Sequence, residues 1–184
     1  MHVKFLASVF LLFLVSISAP AQKSASLNAG LGLKLLNNHR DWSIMVPAME
    51  VEYFRPYNTL LSFSGVAGVG AGKRESLVSH DLDHYAFLSH LDGNIFLSPF
   101  GNTNKYNLRI GTGLSIMYAS EWFRGTAYDE SAAPLNRFRA GLSMIMENEW
   151  HIGNDNTLGL KTMVQPYTNQ EWVASLMFKY GWRL

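Results

Sequence analysis

Trp172-Val173-Ala174-Ser175-Leu176-Met177-Phe178-Lys179-Tyr180-Gly181-Trp182-Arg183-Leu184 is the stretch on which the fold turns. Every second residue, from Trp172 through Ala174, Leu176, Phe178, Tyr180 and Trp182 to Leu184, is apolar or aromatic. The residues between them, Val173, Ser175, Met177, Lys179, Gly181 and Arg183, are mostly small or charged. Successive side chains of a β-strand point to opposite faces, so strict period-two alternation predicts a strand with one greasy and one polar face.

Working outward, seven further segments alternate in the same way, over 24–35, 44–54, 59–72, 84–97, 106–119, 138–150 and 157–165. The cleanest is 106–119. There Tyr106, Leu108, Ile110, Thr112, Leu114, Ile116 and Tyr118 oppose Asn107, Arg109, Gly111, Gly113 and Ser115. Pro47 interrupts the second segment, because proline cannot donate a ladder hydrogen bond; a bulge there, or a strand starting at Ala48, accommodates it. Turn-forming residues separate the segments, as in Arg55-Pro56-Tyr57-Asn58 and Gly153-Asn154-Asp155-Asn156. Longer connections follow the third segment, over 73–83, and the fifth, over 120–137. On this reading the connections after the first, third, fifth and seventh strands are mostly the longer ones, which places both termini at the short-turn end.

Alternation leaves open which face is outside, and three features decide it. The greasy faces carry no Asp, Glu, Lys or Arg. The opposite faces hold Glu50, Glu52, Asp92, Glu147 and Glu149 with Lys34, Arg109, Arg139, Lys161, Lys179 and Arg183. So near-equal a balance suits a narrow lumen, where each buried charge needs a partner. Most strand glycines share that polar face, as the concave side of a small barrel requires, and only Gly65 and Gly93 depart. Aromatics gather at two rims, Tyr53, Tyr57, Phe100, Tyr106, Trp150, Tyr180 and Trp182 at one, and Trp42, Tyr85, Phe87, Tyr118, Trp122, Phe138, Tyr167 and Trp172 at the other. Interfacial rings sit at headgroup depth, and the run from Tyr106 to Tyr118 spans roughly 30 Å along a tilted strand, enough to cross an apolar band of about 25 Å. The expected fold is an all-β, eight-stranded, antiparallel, up-and-down transmembrane barrel.

The ends and the bulk composition agree. Lys4 precedes an uncharged apolar run over 5–17, too short to span a bilayer, and Ala19-Pro20-Ala21 has signal-peptidase spacing. The expected organisation is a signal peptide over 1–21, cleaved near Ala21, and a barrel over 22–184. The chain has no cysteine, hence neither a lipid-anchor thiol nor a disulfide framework. A net charge of +1 with no basic stripe argues against a nucleic-acid partner.

With these residues in view, the chain resembles the small eight-stranded outer-membrane barrels of the OmpA/OmpX type. Its Asn-rich turns and glycine-rich polar face also look like the single-domain barrels common in Bacteroidetes. It departs in ending on Leu184, with Trp182 two residues before, where such barrels usually end on an aromatic. The resemblance implies a Gram-negative outer-membrane location. It also implies lipid bilayer and lipopolysaccharide as surroundings, and the barrel assembly machinery as a partner during biogenesis.

Chemistry is sparse. Lys34, Glu50, Glu52, Asp92, Arg109, Arg139, Glu147, Glu149 and Lys161 read as a lumen charge network that plugs the bore, since eight strands leave a lumen just wide enough for side chains. His80, Asp81, Asp83 and His84 lie close together and contain metal-ligand and hydrolase residue types, yet close spacing alone does not set ligand geometry. Small-barrel lipid A deacylases carry a His-X-Ser pair, and no His here has Ser two residues on. The reading is therefore of no catalytic residue, no metal and no cofactor. The segment 120–137, with Trp122, Phe123, Arg124, Tyr128, Asp129 and Glu130, is a candidate contact for an extracellular partner. A non-enzymatic envelope or surface role is expected, against a lipid-modifying hydrolase, a narrow ion channel and a soluble lipocalin-like carrier.

Overall fold

The computed structural model of the chain describes residues 25–38, 42–75, 83–101, 105–124, 135–168 and 170–184. The expected signal segment lies outside them. The eight strands are β1 (Ser26–Asn38), β2 (Trp42–Pro56), β3 (Leu61–Glu75), β4 (Asp83–Leu97), β5 (Tyr106–Arg124), β6 (Leu135–Ile152), β7 (Asn156–Pro166) and β8 (Trp172–Arg183). Each pairs antiparallel with its sequence neighbours, and β8 pairs with β1 to close one barrel.

The ladders set the bore. From Leu27 they step to Tyr53, Gly65, Gly93, Leu114 and Leu142. The β6–β7 register carries this line to Pro166, which pairs with Trp172, and Trp172 returns to β1 at Asn37. The circuit climbs ten residues, from Leu27 to Asn37. Eight strands with that stagger tilt roughly 40° from the axis and leave room for side chains alone.

The greasy faces point outward on every strand. Leu31, Met49, Val69, Leu91, Leu114, Leu142, Val164 and Phe178, one from each strand, are all exposed, Leu114 at 68%. Glu52, Glu147 and Lys161 are 0% exposed. Water-soluble surfaces rarely carry contiguous apolar patches beyond a few hundred Å². A hydrocarbon surround removes that cost and demands a polar residue inside be paired. The soluble carrier, which needs its apolar faces inward, has the opposite geometry.

Several expectations on detail need correction. The connection after β5 is 125–134 rather than 120–137. The alternation continues past Ala119, and Ala119, Ser120 and Glu121 pair with Arg137, Asn136 and Leu135. Trp122, Phe123 and Arg124 therefore belong to a strand, whereas Tyr128, Asp129 and Glu130 lie outside the described residues. The connection after β3 is likewise 76–82. Longer strands weaken the expected contrast in loop length. The connection after β1, 39–41, is as short as 153–155 after β6, and 98–105 after β4 exceeds 76–82. Pro47 needs neither a bulge nor a later start. It pairs with Leu33 in an unbroken β1–β2 register and sits where the β2–β3 ladder ends, at Ala48 and Gly70, so its missing N–H breaks no continuing ladder.

The aromatic rims are present with one exception, apart from Trp42, whose side chain lies outside the description. Tyr53, Tyr57, Phe100, Tyr106, Trp150, Tyr180 and Trp182 are exposed at the end that carries the termini. There Tyr180 and Trp182 meet edge to face at 4.8 Å, and Tyr106 and Trp150 lie 5.8 Å apart. At the other end Phe87, Trp122 and Phe138 are exposed, and Tyr118 packs 5.0 Å from Phe138. Tyr167 does not belong to this girdle. It is buried in the lumen, because the β6–β7 register runs on through Gly141 and Tyr167, which keeps the inward parity of Lys161, Met163 and Gln165, and Thr168 N–H donates to the Ala140 carbonyl at 3.0 Å.

Gly65 and Gly93 face each other across β3 and β4 on the outer wall. A Cβ at either meets nothing within 4 Å, and neither has a positive φ. Alanine at each position should therefore stabilise the barrel by roughly 0.5–1 kcal/mol, by restricting the unfolded chain. Gly32→Ala should destabilise it, since its Cβ meets the Leu176 carbonyl and lies 2.8 Å from Met177 Cα. Urea midpoints for folding into lipid vesicles test both signs.

Candidate functional site

Among the described residues, the lumen is where the strands bring chemically active side chains together. At the termini end, Arg109 of β5 grips Glu149 of β6 with both arms. Nη2 donates to Oε1 at 2.5 Å and Nη1 to Oε2 at 2.7 Å, and Nη1 also reaches Glu147 Oε1 at 3.3 Å. The guanidinium stacks 3.9 Å over the Phe54 ring, which itself packs against Phe96. Such a fork-to-fork contact fixes orientation as well as charge. Lys179 of β8 donates to Glu147 Oε1 at 2.7 Å and to Glu52 Oε2, which also accepts from Asn28 at 3.1 Å. One chain of contacts thus ties β1, β2, β5, β6 and β8. Register explains the reach of Lys179. Its ladder neighbours are Gly30 on β1 and Gly159 on β7, so its stem crosses the bore over bare backbone.

A second tier lies toward the middle. Lys161 pairs with Glu50. Lys34 Nζ lies 3.0 Å from His90 Nε2, and that nitrogen is 3.7 Å from Asp92 and 4.0 Å from Glu50. His90 has space because Gly68 stands beneath its ring, where a Cβ would come within 2.8 Å of Nε2. Asp92 accepts from Ser115 at 2.6 Å and from Gln165 at 3.1 Å.

The outer third differs. Leu36, Ile44, Val46, Ala86, Leu88, Met117, Ala119, Tyr167 and Val173 form one buried apolar cluster inside the barrel. At its β6 edge Arg139 pairs with Glu121 at 2.9 Å and with Glu171, which also holds Arg137 at 3.1 Å.

All nine residues read from sequence as the lumen network are buried here: Lys34, Glu50, Glu52, Asp92, Arg109, Arg139, Glu147, Glu149 and Lys161. Eight of them sit in the two inner tiers, and Arg139 stands apart at the outer edge. Lys179 is the hub of the first tier, while Arg183 is exposed at the mouth. Glu121 and Glu171 escaped the sequence reading because they fell in presumed loops. Glu121 keeps the parity of Met117 and Ala119, a signal that was available. Glu171 enters only through the fold of the β7–β8 turn.

The other candidates fall at or beyond the edge of the described residues. His80 and Asp81 lie outside the described residues. Asp83 and His84 are consecutive register positions of β4, opposite Arg124 and Phe123 of β5, and their side chains lie outside the description. Among the described residues no three His, Asp or Glu gather as metal ligands.

The class of protein follows from this inside-out arrangement: a small eight-stranded, closed antiparallel β-barrel with its apolar faces outward, the fold of small outer-membrane barrels. No protein-family model matches the chain, and no curated protein matches it in sequence. Solved structures match in fold. Neisserial surface protein A aligns with a TM-score of 0.64 at 10% identity, covering 87% of this chain and 97% of its own. Ail, the attachment invasion locus protein of Yersinia pestis, aligns at 0.60 with 11% identity, covering 88% and 99%. The N-terminal barrel domain of Pseudomonas aeruginosa OprF aligns at 0.52 with 12% identity, covering 88% and 100%. At these identities the likeness is one of fold.

Proposed function

We propose that the protein is an integral barrel of a Gram-negative outer membrane, with a non-enzymatic role in envelope integrity or in surface contact through its outer loops. One observation carries this reading. Among the described residues the lumen-facing side chains are buried as paired charges in two tiers and an apolar layer, inside a wall of exposed apolar side chains. Side chains occupied with one another in this way support the lipid-facing wall and the loops as the working surfaces. In this reading the termini are periplasmic, and 39–41, 76–82, 125–134 and the β7–β8 turn face outward, amid lipopolysaccharide. The barrel assembly machinery inserts the chain after cleavage near Ala21. Ail has been crystallised with a heparin analogue, sucrose octasulfate, which supports contact with an external ligand as work that a barrel of this fold performs.

The test is a deletion strain scored for detergent sensitivity and for lipid A acyl pattern, then complemented with the wild type or with a chain whose 125–134 is replaced by a Gly-Ser linker. Detergent sensitivity rescued by both chains assigns the barrel wall. Rescue by the wild type alone assigns the loop. Intact detergent resistance with an altered acyl pattern, lost again on His80→Ala or His84→Ala, replaces the proposal with the hydrolase.

A further inference from the structure

We infer that Tyr167 is a stopper, carried on the β7–β8 turn, that completes a dry apolar layer and shuts the polar lumen off from solvent at the loop end. This goes beyond the proposed role and holds whichever arm of it survives.

The layer is built from the loop-end positions of five strands. Leu36 pairs with Ile44 on one side and Val173 on the other, and Leu88 pairs with Ala119. These side chains are at most 1% exposed, and Val46 and Met117 fill the space between them. On the β6 side the layer has a hole, because Gly141 has no side chain. Tyr167 fills it. It forms an isolated bridge with Gly141, and a Cβ on Gly141 would stand 2.7 Å from the Tyr167 ring. Ring and glycine are thus complementary, and the lack of a Cβ is what admits the aromatic.

The phenol then crosses from the apolar layer to the polar one. Its hydroxyl lies 3.0 Å from Ser115 Oγ, which donates to Asp92. Above the ring, the turn is strapped down. Tyr167 N–H donates to the Glu171 carbonyl at 2.8 Å, Gln170 takes a left-handed φ of 65°, and the Glu171 carboxylate is held by Arg137 and Arg139. A hydrophobic constriction excludes water and ions without any charge, by dewetting. The ion pairs beneath are therefore not the seal. They are the contents that the seal keeps dry.

The chain has no cysteine, so one introduced thiol is a clean reporter. Ser115→Cys places it directly under the Tyr167 ring. The variants are reconstituted in vesicles, their folding is verified by the shift of the unboiled band, and labelling by a charged, water-soluble thiosulfonate is timed. With Tyr167 or Tyr167→Phe in place labelling should be slow. Tyr167→Ala should raise its rate about tenfold or more, as a shielded thiol becomes accessible. Leu88→Ala opens the same layer from the opposite wall without touching the turn, and should give a similar rise if Tyr167→Ala does not fold. Equal rates in the Tyr167 and Tyr167→Ala barrels overturn the inference. So does a Tyr167→Phe barrel as reactive as Tyr167→Ala, which would assign closure to the hydroxyl and not the ring.

Discussion

Lys179→Met is expected to cost the barrel about 3–5 kcal/mol, because removing one partner of a buried ion pair strands the others. Lys179 alone links Glu52 to Glu147. Without it Glu52 keeps hydrogen bonds from the neutral donors Asn28 and Ser64 and only longer-range attraction to Lys161 and Arg109, and Glu147 keeps Arg109 at 3.3 Å. Methionine fills most of the space of the lysine stem, so the loss reports charge rather than volume. The measurement is the urea midpoint of folding into vesicles, followed by tryptophan fluorescence. The double variant Lys179→Met with Glu52→Gln should recover more than half of the loss, since it removes both ends of one pair and leaves an amide that hydrogen-bonds without a counter-charge. A single variant as stable as the wild type, or a double variant no better than the single, would show that the network does not hold the barrel together.

Leu114→Arg is expected to cost about 2–4 kcal/mol, the penalty for arginine on the lipid face near the bilayer midplane. Leu114 is 68% exposed and lies near the middle of β5, between the rims marked by Tyr106 and Tyr118. The same substitution at Leu60, exposed in the β2–β3 turn at the termini end, should stay within about 0.5 kcal/mol, as surface changes usually do. The pair of variants separates lipid from water outside the wall. In a soluble barrel both positions tolerate arginine equally, and an equal, small effect would remove the lipid-facing assignment. Gly93→Ala, one ladder step from Leu114, provides an internal contrast of opposite sign.

These two effects come from the two halves of one pattern, and the pattern was legible without coordinates. A β-strand has a side-chain period of two, so eight stretches such as 106–119 and 172–184 declared their strands, their faces and the segregation of charge to one side. Closure, antiparallel order and the outward greasy wall followed, because a bilayer satisfies no backbone polar group and admits no open sheet edge. Strand ends were less legible. Strand β5 runs on past Ala119 and β6 starts before Phe138, at Leu135, but loop-like composition masked both, and only the ladder between β5 and β6 extends these strands.

Parity along a strand is a local property, so the chain alone told which strand residues face the lumen, though not the turn residue Glu171. It did not determine whom they meet. Lys179 and Glu52 are 127 residues apart and share an ion pair because the barrel climbs ten residues per circuit, a consequence of all eight registers at once. Tyr167 shows both sides of this limit. It continues the inward parity of Lys161, Met163 and Gln165, a signal that its place among the strand-end aromatics masked, and only the packed barrel shows that its ring fills the space left by Gly141. Composition along one strand carries the face of a residue. Its partner is set by register, closure and the space left by glycines on neighbouring strands, none of which exists until the barrel has formed.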